Sequence, residues 1–334
     1  MMEWSPMDTS YILGVDGGGT RTTAIVTELN GNPVCCLTGQ STNYNSVGMA
    51  TARENMSRIV NTISKDYGVD RYSAVCIGTS ALFNQAEAEE QSTFTEALFV
   101  SKNTVMLSDM CIAMESLLEE GPCALAISGT GSMCAVRDNV SGLRHSGGWG
   151  YILGDEGSAY HIAITGIQAA IAAYDGVGPE TALKKMVEAH YGIADMRDLV
   201  NLFYDPPIQR EQVSLFAQDV ATCAEAGDGV AKEVLSRSAK HLAKTMLVLL
   251  LPFTGQELPM GISGGVFENN APFRAAFEEE VKSQFNTVRI SKLNYPPHIG
   301  ALFICSKKLG LPVDGAFLEN ISMAGRLESR WCNG

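Results

Sequence analysis

The sequence predicts an α/β protein built from two related halves, each a mixed β-sheet covered by helices. Three observations support this fold class. The first 80 or so residues contain three strand-like runs separated by turns, and helices and strands then alternate. At Gly121-Pro122 the pattern of strand, Gly/Thr turn and strand starts again. The chain has 334 residues, 46% of them hydrophobic, which is enough for two domains.

The first half is predicted from apolar runs and the turn residues between them. The turn Leu29-Asn30-Gly31-Asn32 separates two of these runs, so the first three strands form an antiparallel meander. The predicted elements are strands at 11–15, 22–28, 33–38, 73–77 and 104–107, and helices at 50–67, about 87–99 and 110–119.

The second half repeats the opening pattern and then becomes mostly helical. The predicted elements are strands at 123–127 and 133–137, helices from 158 to about 250, a strand in "MGISGG", a strand at 288–292 and a helix at 299–309. The predicted domains are 1–120, with about 312–334 as a candidate completion, and 121–311, with a helical insertion at about 158–250.

Composition excludes several classes of function. A formal charge of -13 disfavours nucleic acid and anionic membranes as partners, because both would be repelled. No basic segment followed by an apolar one precedes residue 11, and the apolar run 246–253 is too short to span a bilayer, so we expect a cytoplasmic protein. The nine cysteines form no C-x-x-C pair, and the histidines lack ligand spacing, so neither disulfides nor structural zinc is expected.

The stretch "YILGVDGGGTRTTAIV" places three glycines between two buried strands. The amides of Gly17, Gly18 and Gly19 can approach a phosphate closely, and Thr20 can donate its hydroxyl to the same group. Asp16, at the end of a strand, can hold Mg²⁺ directly or through water. The alternative is a glycine hairpin in which Asp16 only caps the turn.

Two further glycine turns strengthen the phosphate interpretation. In "AISGTGSMC" a second turn follows an apolar strand, so two turns could hold the phosphates of one nucleotide across a cleft. In "GISGGVFENN" two glycines end a strand where adenosine could lie against the backbone, although an ordinary strand-to-helix loop is an alternative.

Two segments that carry acidic residues are candidates for binding a substrate and for transferring a phosphoryl group to its hydroxyl. Asp109 ends the run "TVMLSD" and could act as a general base, or could cap the next helix together with Ser108. The segment "GGWGYILGDEGS" is dense in glycine and carries one Trp and two acids, a composition that suits a sugar. Alternatively, Asp155 or Ser158 caps the following helix and Trp149 belongs to the core.

Taken together, these motifs resemble the BadF-type ATPase and N-acetylglucosamine kinase family of the actin, heat-shock-70 and hexokinase superfamily. The resemblance covers essentially the whole chain. The similar motifs are "GVDGGGTRT" and "ISGTGSMC" for phosphate, "STNYNSVG" and "GGWGYILGDEGSAY" for the sugar, "LSDMCIAM" for the catalytic corner and "GISGGVFEN" for adenosine.

The resemblance implies two ribonuclease-H-like domains, each with a mixed five-stranded sheet, and an ATP cleft between them. It also implies ATP and Mg²⁺ as cofactors, an amino sugar as substrate and a homodimer. It assigns roles as follows: Thr20 and Thr130 with Gly131 to the ATP phosphates, Asp16 to Mg²⁺, Asp109 to the general base, Gly264 and Gly265 to adenosine, and Asn43, Asp109, Ser132, Met133, Gly148, Trp149, Gly150 and Asp155 to the sugar.

Departures from the family pattern leave the sugar open. Tyr44-Asn45 stand where N-acetylglucosamine kinases carry bulkier His-Trp, and Met133 occupies a position that is often Asn. A wider or less polar pocket would accept N-acetylmuramic acid or other N-acetylhexosamines as well as N-acetylglucosamine. The alternatives of another class are an ATPase that activates a dehydratase and a nonenzymatic sugar-binding regulator. The first lacks the expected cysteine pair, and the second lacks a basic recognition helix.

Overall fold

The computed structural model describes residues 11–82, 88–99, 101, 103–139, 141–206, 208–323 and 330–331. The expectation of no leader rests on the segment before residue 11, which lies outside this part. The first residue of the predicted helix at 87–99 also lies outside it. The strands are β1 Tyr11–Gly17, β2 Arg21–Glu28, β3 Pro33–Gln40, β4 Ala74–Thr79, β5 Thr104–Ser108, β6 Cys123–Ser128, β7 Ser132–Asp138, β8 Gly142–Gly147, β9 Leu258–Ser263, β10 Val288–Lys292 and β11 Arg330–Trp331.

The helices cover the two sheets and are most frequent in the second half of the chain. They are α1 Tyr44–Val47, α2 Met49–Tyr67, α3 Ala88–Thr95, α4 Asp109–Glu115, α5 Ala159–Tyr174, α6 Leu183–Tyr191, α7 Leu199–Tyr204, α8 Arg210–Glu225, α9 Gly229–Leu250, α10 Gly265–Asn269, α11 Ala271–Gln284, α12 Pro297–Lys308 and α13 Gly315–Ser322. Short 3₁₀ turns cover Met196–Asp198 and Leu251–Phe253.

The chain divides into two compact units, Met1–Leu118 with Leu293–Gly334, and Glu119–Lys292. The predicted boundary at 311 therefore differs from the structure, in which α12 belongs to the first unit. The reason is close packing on the first sheet: a Cβ atom built on Gly14 of β1 would lie 2.5 Å from the carbonyl oxygen of His298 in α12. This contact joins positions far apart in the sequence, so no local pattern reveals it.

The first unit contains a mixed sheet in the order β11-β3-β2-β1-β4-β5. The predicted five strands are present, and the two-residue β11 pairs with β3 at the edge as a sixth. Strands β1, β2 and β3 form the predicted antiparallel meander, while β4 and β5 run parallel to β1. The carboxyl ends of β1, β3, β4 and β5 therefore lie at the same edge of the sheet.

Opposite faces of this sheet are covered by different helices. One core cluster includes Met56, Ile59 and Ile63 of α2, which are completely buried together with Leu13 and Leu37 of the sheet. A separate cluster joins α12 and α13 to the remaining sheet residues. This arrangement is that of a sheet between helical layers, as the alternating pattern predicts.

The second unit contains a five-stranded mixed sheet in the order β10-β9-β6-β7-β8. Strands β6, β7 and β8 form an antiparallel meander, and β9 runs parallel to β6 and to β10. Its core is shared with α5, α8, α9 and α11. The sequence missed β8, because this strand lies at the sheet edge with no buried residue and so lacks the apolar alternation that marks a strand.

Within the described residues, no helix is long and apolar enough to cross a membrane. The cysteines from Cys35 to Cys305 are all free thiols; Cys332 lies outside the described residues.

Candidate functional site

The glycine turn of the first unit joins β1 to β2 at the sheet edge where four strands end. Gly18 donates its amide to the carbonyl of Arg21 at 3.0 Å, which closes a tight hairpin. The register pairs Asp16 with Thr23 and Gly17 with Thr22 across the two strands. The turn of "VDGGGTRT" is therefore a hairpin that lies at the edge where these strands end.

Gly17 is required by close packing rather than by an unusual backbone angle. A Cβ atom built on Gly17 would lie 2.6 Å from Oγ1 of Thr42. Thr42 lies two residues after the end of β3 and its hydroxyl is 2.9 Å from that of Thr22, with both side chains completely buried. Ser41 donates its hydroxyl to the carbonyl of Gly18 at 2.9 Å. These contacts hold the first turn against the segment that follows β3.

Asp16 and Asp109 lie at this edge, at the carboxyl ends of β1 and β5. The pKa of Asp16 is raised to about 7, chiefly by burial and also by the neighbouring charge of Asp109, while the charge of Arg21 opposes the shift. Burial also raises the pKa of Asp109, while hydrogen bonds from Met110 and Ser108 oppose it. Two carboxylates of raised pKa at one strand-end edge are typical of a catalytic or cation-binding position.

The capping role considered for Asp109 together with Ser108 is shared by the two residues. Ser108 is the N-cap of α4 and accepts the amide of Met110 at 3.2 Å. Oδ1 of Asp109 also accepts that amide, at 2.8 Å, and Asp109 is the first residue of the helix. The carboxylate is thereby held in place.

Asn43 is 5% exposed and caps the short helix α1. Its Oδ1 accepts the amide of Asn45 at 2.9 Å, and its Nδ2 donates to the hydroxyl of Ser80 at 2.9 Å. Ser80 in turn donates its amide to the carbonyl of Gly17 at 3.2 Å. The structure thus brings Asn43 to the same edge as the first turn, through the end of β4.

The second glycine turn lies between β6 and β7 in the second unit and is held by hydrogen bonds within the turn and to the segment before α5. The amide of Gly129 donates to the carbonyl of Gly131 at 2.9 Å, and the carbonyl of Gly129 accepts the amide of Ala159 at the start of α5. Ser128 and Ser132 donate their hydroxyls to the carbonyls of Gly157 and Glu156, at 2.6 and 2.9 Å. The turn and the end of the "GDEGS" segment are therefore one structural feature.

The segment "GGWGYILGDEGS" forms a loop against this second turn. Gly148 donates its amide to the carbonyl of Ser132 at 3.0 Å. Asp155 is 4% exposed, has a φ of +60°, and accepts the amide of Gly150 at 3.1 Å through Oδ1. A left-handed conformation is costly for a non-glycine residue and is commonest at functional sites. Burial raises the pKa of Asp155, and the Gly150 hydrogen bond and Arg210 oppose that shift.

The structure decides between the alternatives left open for this loop. Ser158, not Asp155, is the N-cap of α5, since its hydroxyl accepts the amide of His161 at 3.1 Å. Trp149 is 73% exposed, so the alternative that places it in the core is wrong. Met133, on β7, is paired with Gly147 at the base of the loop.

The third glycine motif lies directly beside the second. Gly264 follows β9 and has a φ of +103°, and a Cβ atom built there would lie 2.3 Å from the carbonyl oxygen of Ser128. Both the backbone angle and the contact therefore exclude a side chain. Gly265 begins the short helix α10. Within the second unit, the structure thus brings together the predicted residues Thr130, Gly131, Ser132, Gly148, Asp155 and Gly264.

Several residues of these sites were not identified from the sequence. Thr22, Thr42 and Ser80 are ordinary strand or loop residues that gain their roles through contacts between strands. Arg210 begins α8, and a nitrogen of its guanidinium would lie 3.8 Å from a Cβ atom built on Gly131. Thr22 and Thr42 lie within motifs quoted above, but nothing local singles out these side chains, because each contact spans at least 20 residues of chain.

A cation at the first-unit edge would depend on substrate oxygens. Among the described residues, no group of three or more His, Cys, Asp or Glu side chains could hold a metal ion. Mg²⁺ often takes only one or two protein carboxylates and completes its shell with phosphate oxygens and water. One carboxylate, that of Asp16 at the end of β1, fits that donor set.

Known proteins resemble this chain over most of its length. An N-acetylmuramic acid/N-acetylglucosamine kinase from Clostridium acetobutylicum is 26% identical over 302 residues, which cover 88% of this chain and 97% of that protein. An N-acetyl-D-glucosamine kinase from Dictyostelium discoideum is 27% identical over 321 residues, covering 90% and 100% of the two chains.

Solved structures confirm the fold. A Chromobacterium violaceum protein provisionally assigned as an N-acetylglucosamine kinase superposes with a TM-score of 0.74 at 21% identity, over 89% of this chain and 99% of that one. A ROK family glucokinase from Streptomyces griseus, solved with glucose and AMPPNP, has a TM-score of 0.56 at 14% identity, over 88% and 98%. The predicted pair of mixed sheets with flanking helices is therefore the fold that these two solved structures share with this chain.

The family model of the BadF/BadG/BcrA/BcrD ATPases matches residues 13–303, a range that contains both glycine turns, Asp109, the "GGWG" loop and Gly264. This chain belongs to the BadF/BadG/BcrA/BcrD ATPase family.

Proposed function

We propose that this protein is an ATP-dependent amino-sugar kinase that phosphorylates a hydroxyl group, most readily the 6-hydroxyl of N-acetylglucosamine. The observation that carries the proposal is the position of Asp109 at the strand-end edge that also holds Asp16, the first glycine turn and Asn43. Both relatives described above are named as amino-sugar kinases, which favours the same substrate class for this chain.

Asp109 is the proposed general base. In the proposed reaction the sugar hydroxyl gives its proton to Asp109, its oxygen forms a bond to the γ-phosphorus, and the bond to the bridging oxygen breaks with its electrons leaving on ADP. The raised pKa of Asp109, caused by burial, makes the carboxylate a better proton acceptor than an exposed aspartate.

The remaining residues position the two substrates. We assign the amides of Gly17, Gly18, Gly19 and Gly131, with the hydroxyls of Thr20 and Thr130, to the phosphates. Gly264 and Gly265 are assigned to adenosine. Mg²⁺, held near Asp16, would neutralise phosphate charge. Such catalysis consists mostly of alignment and charge stabilisation.

We assign sugar binding to Asn43 and Asp109, and to the second-unit residues Ser132, Met133, Gly148, Trp149, Gly150 and Asp155. Asp155 supplies a buried carboxylate for sugar hydroxyls, and the exposed face of Trp149 suits the apolar face of a sugar. Met133 in place of a polar residue favours a less polar pocket. The second candidate substrate is therefore N-acetylmuramic acid, which the C. acetobutylicum relative also accepts according to its name.

An ADP-release assay tests the proposal with N-acetylglucosamine, N-acetylmuramic acid, glucosamine, N-acetylmannosamine and glucose as acceptors. NMR of the product then locates the phosphate. We expect transfer to an N-acetylated amino sugar at its 6-hydroxyl. Absence of transfer to every acceptor would reject the kinase proposal in favour of a sugar-binding regulator.

Asp109→Asn tests the assigned base. We expect loss of about 10²- to 10⁴-fold in kcat, the usual contribution of a general base, with ATP binding changed by no more than a few fold. Asp70→Asn, an exposed site in the same unit, is the matched control and should keep full activity. Retained turnover in Asp109→Asn would show that this carboxylate is not the base.

A further inference from the structure

Arg210 lies beside the second glycine turn, and no described residue accepts a hydrogen bond from its guanidinium. Its side chain is 24% exposed, and its Nε is buried without a hydrogen-bond partner. Across the described residues, its guanidinium makes no hydrogen bond, and its one ion-pair contact is a 3.9 Å approach to Glu211. A guanidinium carries five N–H donors, and leaving the buried Nε–H without an acceptor is unfavourable.

Two tyrosine side chains orient the guanidinium of Arg210. The guanidinium carbon lies 5.6 Å from the centre of the Tyr151 ring, a cation–π distance. Tyr151 in turn makes an edge-to-face contact with Tyr160 of α5, with ring centres 4.8 Å apart. Aromatic packing thus holds the flat guanidinium without consuming its N–H groups.

The guanidinium faces a corner formed by Gly131 and Asp155. A Cβ atom on Gly131 would lie 2.8 Å from Oδ2 of Asp155 and 3.8 Å from a nitrogen of Arg210. Asp155 is held by Gly150 through its other oxygen, and it is not within ion-pair distance of Arg210. The missing side chain of Gly131 therefore leaves space at the junction of the phosphate turn and the sugar loop.

We propose that Arg210 binds an oxyanion of a bound substrate at this corner, either a phosphoryl oxygen of the nucleotide or the carboxylate of an acidic amino sugar. A guanidinium recognises both groups through paired N–H donors. The inference rests on the proposed function for the identity of the ligands, and it adds a residue that determines which of them is bound.

The test compares Arg210→Gln with the wild type by calorimetric titration of AMPPNP with Mg²⁺ and, separately, of N-acetylmuramic acid and N-acetylglucosamine. If the anion is phosphoryl, AMPPNP affinity falls at least about tenfold, as expected for losing a charged hydrogen bond. If it is the sugar carboxylate, N-acetylmuramic acid affinity falls at least about tenfold while N-acetylglucosamine and AMPPNP change less than about twofold. Arg210→Lys should restore only part of either loss, because it keeps the charge without the paired donors.

Arg197→Gln is the matched control. Arg197 also stacks over a tyrosine, 5.8 Å from the ring centre of Tyr174, but it is 71% exposed and already paired with Asp175 at 2.9 Å. Thermal denaturation should show that both Gln variants are folded, and only Arg210→Gln should lose affinity. The proposal is overturned if Arg210→Gln binds all three ligands normally, or if it loses both sugars equally with AMPPNP unchanged, which would indicate a role only in holding Asp155.

Failure of this inference is separable from failure of the kinase proposal. If the wild type transfers phosphate to no sugar, the titrations still measure whether Arg210 contributes to anion affinity. If the wild type binds neither AMPPNP nor N-acetylmuramic acid, no oxyanion occupies the corner and the inference is wrong.

Discussion

Gly17→Ala should destabilise the first unit by a clash that a second substitution can remove. The added Cβ would lie 2.6 Å from Oγ1 of Thr42, well inside van der Waals contact. Thr42 is completely buried, and rotating its side chain would break the 2.9 Å hydrogen bond with Thr22. Overpacking costs about 1–3 kcal/mol and an unpaired buried hydroxyl about 1–3 kcal/mol, so we expect a loss of about 2–6 kcal/mol in the free energy of unfolding.

A double-mutant cycle tests this explanation. Thr42→Ala removes the clashing oxygen and leaves the Thr22 hydroxyl unpaired, at a cost of about 1–3 kcal/mol. Once that oxygen is absent, Gly17→Ala should cost less than in the wild type, because the closest remaining contact of the added Cβ is the carbonyl oxygen of Gly78 at 3.2 Å. The double variant should therefore lose at least about 1 kcal/mol less than the sum of the single losses.

Urea unfolding measures the cycle, and amide hydrogen exchange of β1 and β2 reports on the first unit directly. Gly315→Ala is the matched control: it lies in the same unit, no atom lies within 4 Å of an added Cβ, and its φ is not positive. It should change stability by less than about 0.5 kcal/mol. The packing argument fails if Gly17→Ala is as mild as this control, or if the two substitutions are additive.

Three other predictions concern the second unit. Asp155→Asn should fold normally, because Asn tolerates a positive φ and keeps an oxygen for Gly150, but it should bind the amino sugar at least about tenfold more weakly because the charged acceptor is lost. Since burial raises the pKa of Asp155, sugar affinity of the wild type should fall on acidification at a higher pH than for an exposed aspartate, and the Asn variant should lack this dependence. Calorimetric titrations between about pH 4 and 8, above the ordinary aspartate pKa of about 3.9, compare the two proteins. Identical profiles would contradict the assignment. Trp149→Ala should leave the free energy of unfolding within about 0.5 kcal/mol, because the side chain is 73% exposed, and should weaken sugar binding in calorimetry; unchanged affinity would remove Trp149 from the sugar site. Gly264→Ala should lower the melting temperature, because its Cβ would lie 2.3 Å from the Ser128 carbonyl and its φ is +103°, with Gly121→Ala, which meets no atom within 4 Å, as the neutral control.

The local motifs were predictable because their signals are short-range. The first meander, β10 and the glycine turns follow from apolar runs, turn residues and glycine clusters within a few positions of each other. The strand-end position of Asp109 follows in the same way. The edge strand β8 was missed because it has no buried residue. The predicted domain 121–311 includes α12, whereas the structure groups α12 with the first unit, because its partner β1 is far away in the sequence.

The sequence by itself determined which residues end the strands, and so where glycine, Asp and Thr side chains can meet a ligand. Only the tertiary structure decided which of them meet each other. Asp16 and Asp109 share an edge because β1, β4 and β5 run parallel, and the Thr22–Thr42 pair exists because β3 returns beside β2. Arg210 reaches Gly131 across 79 positions, a contact set by the packing of α8 and therefore invisible to any pattern of neighbouring residues.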